Sequence, residues 1–92
     1  MAAAAVQIDE EALVREKIAE LALPKGVKFK QIKKASDWTG DPSFEIYFSV
    51  SRKIPLTKRR LTELSRVASD LTERIFALKL DRWPFVYFKE GQ

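Results

Sequence analysis

The segment FEIYFSV, residues 44–50, places apolar side chains at every second position. Phe44, Ile46, Phe48 and Val50 share one side, while Glu45, Tyr47 and Ser49 share the other, and Ser43 extends the second set. Alternation of period two predicts a strand with one buried face. VKFKQIKKA, residues 27–35, starts the same way with Val27 and Phe29, but Ile32 falls out of phase. A bulge near Gln31, or partial burial of both faces, accounts for the slip. Two other stretches carry the helical period. Val14, Ile18 and Leu21 recur at i, i+4 and i+7, widened by Leu13 and Ala22. Asp9 caps this run, Glu10 and Glu11 sit at the positive end of its dipole, and Pro24 and Gly26 stop it, which predicts a helix over 9–22. Pro55 and Thr57 open a second helix running to about Leu80, with Leu61, Leu64, Ala68, Leu71, Ile75 and Leu78 as one apolar stripe. Pro84 cannot continue a helix, and PFVYF reads as a short aromatic strand.

The order α-β-β-α-β, without repeats or an internal linker, predicts an α+β domain. Its economical form is a three-stranded, mainly antiparallel sheet with two helices on one face. The chain has 92 residues, read as a flexible tail over 1–8 and a single domain over 9–92. A domain this small buries only about 65% of the surface its unfolded chain exposes, so a partner subunit would supplement a thin core.

Two helices cannot cover both faces of a sheet. Phe85 and Tyr87 alternate with Val86 and Phe88, and Tyr47 lies off the Phe44–Ile46–Phe48 face. Trp38 and Trp83 stand at loop ends. An uncovered aromatic face of this kind marks a contact surface, with Trp38, Tyr47, Phe85 and Tyr87 as its anchors. A homodimer through this face is one occupant, and a different protein partner is another. Base stacking is a third, with Lys28 and Lys30 flanking the platform, although neither an RNP-like segment nor a GxxG clamp is present.

Composition narrows the chemistry. With no cysteine and no histidine, thiol catalysis, zinc–thiolate sites and imidazole general bases are excluded. The expectation is a protein without catalytic activity and without a cofactor. A net charge of +4 raises nucleic acid as a partner without requiring it. The basic residues form two runs: Lys25, Lys28, Lys30, Lys33 and Lys34, then Arg52, Lys53, Lys58, Arg59 and Arg60. Lys58, Arg59 and Arg60 fall in the first turn of the second helix, where the dipole disfavours cations and where backbone N–H groups suit a phosphate. A solvated, charge-balanced face is the alternative. MAAAAVQ lacks the basic and long apolar regions of a signal peptide, and no apolar run is of membrane-spanning length, so the expected address is the cytoplasm.

SDWTGDPS, residues 36–43, offers two readings. Asp37 and Asp41, with Glu45, are oxygen ligands of the type that holds a divalent cation, but no loop spacing supports that use. As a turn the stretch is fully accounted for: Asp37 forms an Asx-turn, Gly40 supplies positive φ, Pro42 presets the next strand, and Trp38 covers the end of the core.

D-W-T-G-D-P, the alternating strand, the long basic-then-amphipathic helix and the closing W-P-F-V-Y-F together resemble a group of small bacterial proteins with a W-T-G-D-P turn, over about residues 26–88. Only Trp38 to Pro42 is distinctive. The departures are Phe85-Val86, inserted between the proline and the Tyr-Phe pair, and the basic start of the second helix. The resemblance implies a gene neighbour of HEPN type, a helical class that includes RNA-cutting toxins. It casts this chain as the non-catalytic member of a two-gene, toxin–antitoxin-like module, with the HEPN-type protein as its partner.

Overall fold

A computed structural model describes residues 9–91, so the tail expected over 1–8 lies outside the described residues. The chain runs α1 (Glu10–Ala19), β1 (Val27–Ser36), β2 (Pro42–Ser51), α2 (Lys58–Ala77) and β3 (Trp83–Gly91), the expected α-β-β-α-β order of an α+β fold. Asp9 caps α1 by accepting from the Ala12 N–H at 3.1 Å. The helix ends at Ala19, three residues before the expected limit, where the Glu20 N–H is shared between the Glu16 and Lys17 carbonyls. Thr57 caps α2 by accepting from the Arg60 N–H at 3.1 Å. At its other end Leu78 and Lys79 close the helix, Lys79 in the left-handed region at φ 55°.

β2 is the central strand of the sheet, ordered β1-β2-β3. β1 pairs with it antiparallel, with the register slipping between Phe29 and Gln31, so Lys30 is the extra residue of a bulge, the first of the two accounts of the Ile32 phase error. β3 pairs with β2 parallel, from Ser43 opposite Trp83 to Ser51 opposite Gly91. The sheet is therefore mixed, which corrects the mainly antiparallel expectation. The reason is length. The 20 residues of α2 rise about 30 Å and β2 spans about 33 Å, so the helix carries the chain back to the hairpin end and β3 must set out in the direction of β2.

Both helices lie on one face, and a single core joins Val14 and Ile18 of α1, Leu64, Leu71 and Ile75 of α2, and Phe44, Ile46, Phe48 and Val50 of β2. At its centre a row of rings crosses all three strands: Phe29 meets Phe48 edge-on at 6.0 Å, and Phe88 stacks on Phe48 at 5.6 Å. The buried stripe of α2 is rotated from the expected one. Arg60 and Val67 turn inward while Leu61 is 52% exposed. No helix among the described residues is long and apolar enough to cross a membrane.

Two glycines have positive φ, and their surroundings differ. A Cβ at Gly26 (φ 79°) would lie 2.6 Å from Ile54 Cδ1 and 3.1 Å from Ser51 Cβ, whereas one at Gly40 (φ 88°) would meet nothing within 4 Å. Urea denaturation is expected to find Gly40→Ala destabilised by about 1 kcal/mol, the backbone strain alone. Gly26→Ala adds a collision to the same strain and should lose about 2–3 kcal/mol.

Candidate interaction face

The alternation that buries Phe44, Ile46 and Phe48 turns the side chains between them away from the helices. The strand registers align these side chains in rows across the sheet. Lys28, Ser49 and Lys89 form one row, Gln31, Tyr47 and Tyr87 the next, and Lys33, Glu45 and Phe85 the third. Tyr47 and Tyr87 stack, with ring centroids 5.2 Å apart and planes 22° from parallel. Neither helix reaches this side, and Tyr87 is 41% exposed. The Tyr47 hydroxyl donates to Glu45 Oε1 at 3.0 Å, and this bond to the carboxylate is the main reason its pKa is raised above the ordinary tyrosine value.

Lysines surround the pair. Lys89 Nζ lies 4.8 Å and Lys33 Nζ 5.5 Å from the centroid of Tyr47, both at cation–π distance. Lys28, Lys33 and Lys89 make no ion pair among the described residues. The helical layer differs: Arg15 meets Glu11, Lys17 meets Glu20, and Arg74 meets both Asp70 and Glu20. With Glu45 as the one acidic residue of the three rows, the open face therefore carries net positive charge beside aromatic surface. Lys28 was visible in the sequence as a flank of the platform. Lys33 and Lys89 were missed, although Lys89 continues the alternation of Phe85 and Tyr87 by two residues; Lys33 is brought into phase only by the bulge.

The other expected anchors separate. Trp38 stands at the tip of the β1–β2 turn, is 93% exposed, and makes no ring–ring contact among the described residues. It does not cover the core end as the turn reading expected, because the turn carries it past the last core residues. Trp83 packs edge-on against Phe76 of α2 at 5.2 Å, at the β3 edge of the sheet.

The octapeptide is a turn built on Asp37. Its Oδ1 accepts from the Thr39 N–H at 2.8 Å, the Thr39 hydroxyl at 2.6 Å and the Asp41 N–H at 2.9 Å. The backbone closes through Asp37 N–H to the Asp41 carbonyl at 2.8 Å and Gly40 N–H to the Asp37 carbonyl at 2.9 Å. The Asx-turn and the positive φ of Gly40 are both as expected. No group of three or more carboxylates among the described residues is placed to hold a metal ion.

The basic start of α2 loses a member. Arg60 is only 5% exposed and donates through Nη2 to the Lys25 carbonyl, tying the loop before β1 to the helix. It is unavailable to a phosphate, contrary to the expectation for the Lys58–Arg60 cluster. The cause is the inward rotation of the α2 stripe. Lys58, Arg59 and Lys53 are exposed, and Arg52 lies 3.7 Å from Glu90. Comparison of the chain with protein-family models, with curated proteins and with solved structures finds no match.

The hydrogen bonds to Asp37, that from the Thr39 hydroxyl foremost, hold its pKa below the ordinary aspartate value. The folded pKa is lower than the unfolded one, so this carboxylate stabilises the turn above the unfolded value and ceases to as pH falls through the folded one. In an NMR titration the Thr39 and Asp41 amide shifts should move together, with a midpoint below that of an unstructured aspartate. Asp37→Asn should abolish the transition. Chemical denaturation should likewise separate the neighbouring arginines. Arg60→Ala leaves the Lys25 carbonyl without its donor and should lose about 1–3 kcal/mol, while Arg59→Ala should stay within about 0.5 kcal/mol of the parent.

Proposed function

We propose that the chain is a non-catalytic binding protein that makes its contact through the open face of the sheet, with an anionic partner. One observation carries the reading: the Tyr47–Tyr87 stack lies on a face that no other described element covers, beside lysines that make no ion pair among the described residues. Stacked, rigid aromatics give large contact area at little entropic cost, and they anchor interfaces for that reason. Phe85, 36% exposed in the adjoining row, extends the anchor.

The charges weigh among the expected occupants. A second copy seated face to face would bring Lys28, Lys33 and Lys89 against the same three lysines, with Glu45 as the sole acidic residue of those rows, and like charges in a desolvated contact are repulsive. A HEPN-type protein partner rests on the resemblance alone. Nucleic-acid binding at the start of α2 is weakened by the burial of Arg60. A cytoplasmic address accords with a binding role of this kind.

A photoreactive phenylalanine analogue in place of Phe85 tests the contact surface in cells. Adducts should form from that position and fall to background from Ser69, which is exposed on α2. Equal yields from the two positions, or none from Phe85, would remove the open face as the contact surface.

A further inference from the structure

We infer that the partner of this face is single-stranded nucleic acid, an inference that rests on the open face being the contact surface. Three features of the face coincide with what an unpaired strand requires. The first is stacking surface in two successive rows. Tyr87 with Tyr47 forms one platform and Phe85 forms a second, two residues along the same strand, about 7 Å away. A base presents a flat π-face to each, whatever its identity.

The second feature is charge. Lys28, Lys33 and Lys89 border these rows and make no ion pair among the described residues. Glu45, the acidic residue of the rows, accepts a hydrogen bond from the Tyr47 hydroxyl and lies opposite Lys33 in the register. A sugar–phosphate backbone supplies the missing anions at regular intervals.

The third feature is how the two are coupled. The ammonium groups of Lys33 and Lys89 rest over Tyr47. A base that stacks on the ring displaces them outward, where phosphates flank the base. The ring trades a cation–π contact for stacking, and each lysine trades the ring for a phosphate. An acidic protein segment would satisfy the lysines but leave the tyrosine and phenylalanine rings without a flat partner. A duplex keeps its bases stacked inside and has nothing to lay on them.

The test uses the purified full chain and labelled oligonucleotides of about twelve residues, a uridine homopolymer, a deoxythymidine homopolymer and a mixed-sequence duplex. Fluorescence anisotropy is read at about 50 and about 500 mM salt, with light scattering alongside. Both single strands should bind, and the duplex about tenfold or more weaker. Tyr87→Ala should weaken single-strand binding about 5- to 100-fold, while Tyr87→Phe, which keeps the ring, should bind like the parent. Three phosphate contacts predict about a 100-fold loss over the tenfold rise in salt, and Lys89→Gln should flatten that slope by about a third. Arg59→Ala, off this face, should change neither.

Equal affinity for duplex and single strand, unaltered by Tyr87→Ala, would reduce the interaction to plain charge attraction and overturn the inference. So would no binding to any oligonucleotide. In that case the adducts from position 85 separate the two failures: adducts with another protein, or with a second copy, keep the contact face and exclude nucleic acid as its occupant. Absence of adducts as well removes both.

Discussion

The central strand β2 is hydrogen-bonded along both edges; its core residues share one face, and of the other face Ser43 is buried while Glu45, Tyr47 and Ser49 are half-buried. Everything else in the fold follows from that asymmetry. Phe44, Ile46, Phe48 and Val50 give the helices a continuous apolar surface, and α1 and α2 both settle on it. With the two helices committed to one side, no element among the described residues remains for the other. Glu45, Tyr47 and Ser49 are left facing outward, and their neighbours in β1 and β3 with them.

The placement of β3 turns this bare face into a candidate site. Helix α2 matches the length of the strand it covers, so β3 begins beside the start of β2 and runs parallel to it. Arg82 secures that start: its Nη1 donates to the Ala35 and Ser43 carbonyls, each at 3.2 Å, and its Nε lies 3.7 Å from Glu10 Oε1. One arginine thus links α1, the hairpin and the entry to β3. The resulting register puts Tyr87 directly opposite Tyr47 and Lys89 opposite Ser49. An antiparallel β3 would have required a chain reversal at the other end of the sheet. It would have set different side chains beside Tyr47.

Much of this was legible in the chain. The uninterrupted alternation of FEIYFSV specified a strand with one buried face, and the slip at Ile32 allowed a bulge or partial burial of both faces, between which only the strand register decided. Asp37, Gly40 and Pro42 specified the turn through chemistry confined to a few residues. The helix start misled because Lys58, Arg59 and Arg60 are alike in sequence, and only the rotation of α2 on the sheet separates the buried arginine from its exposed neighbours. Trp38 misled for a related reason: a large apolar side chain in a tight turn suggests coverage of the core, but the direction in which the hairpin tip projects is a property of the packed sheet.

Residue order alone was enough for the element order, the buried Phe44–Val50 face of β2, the turn and the lack of cysteine and histidine in these 92 residues. These depend on periodicity, local backbone preference and residue type, all of which act over a few neighbours. The tertiary structure alone decided the parallel pairing of β3, the burial of Arg60, and the meeting of Tyr47 and Tyr87 with Lys33 and Lys89. Those depend on how a helix of fixed rise spans a strand of fixed rise, and on the rotation at which its apolar stripe meets the sheet. Residues 40 positions apart become neighbours only once both are set.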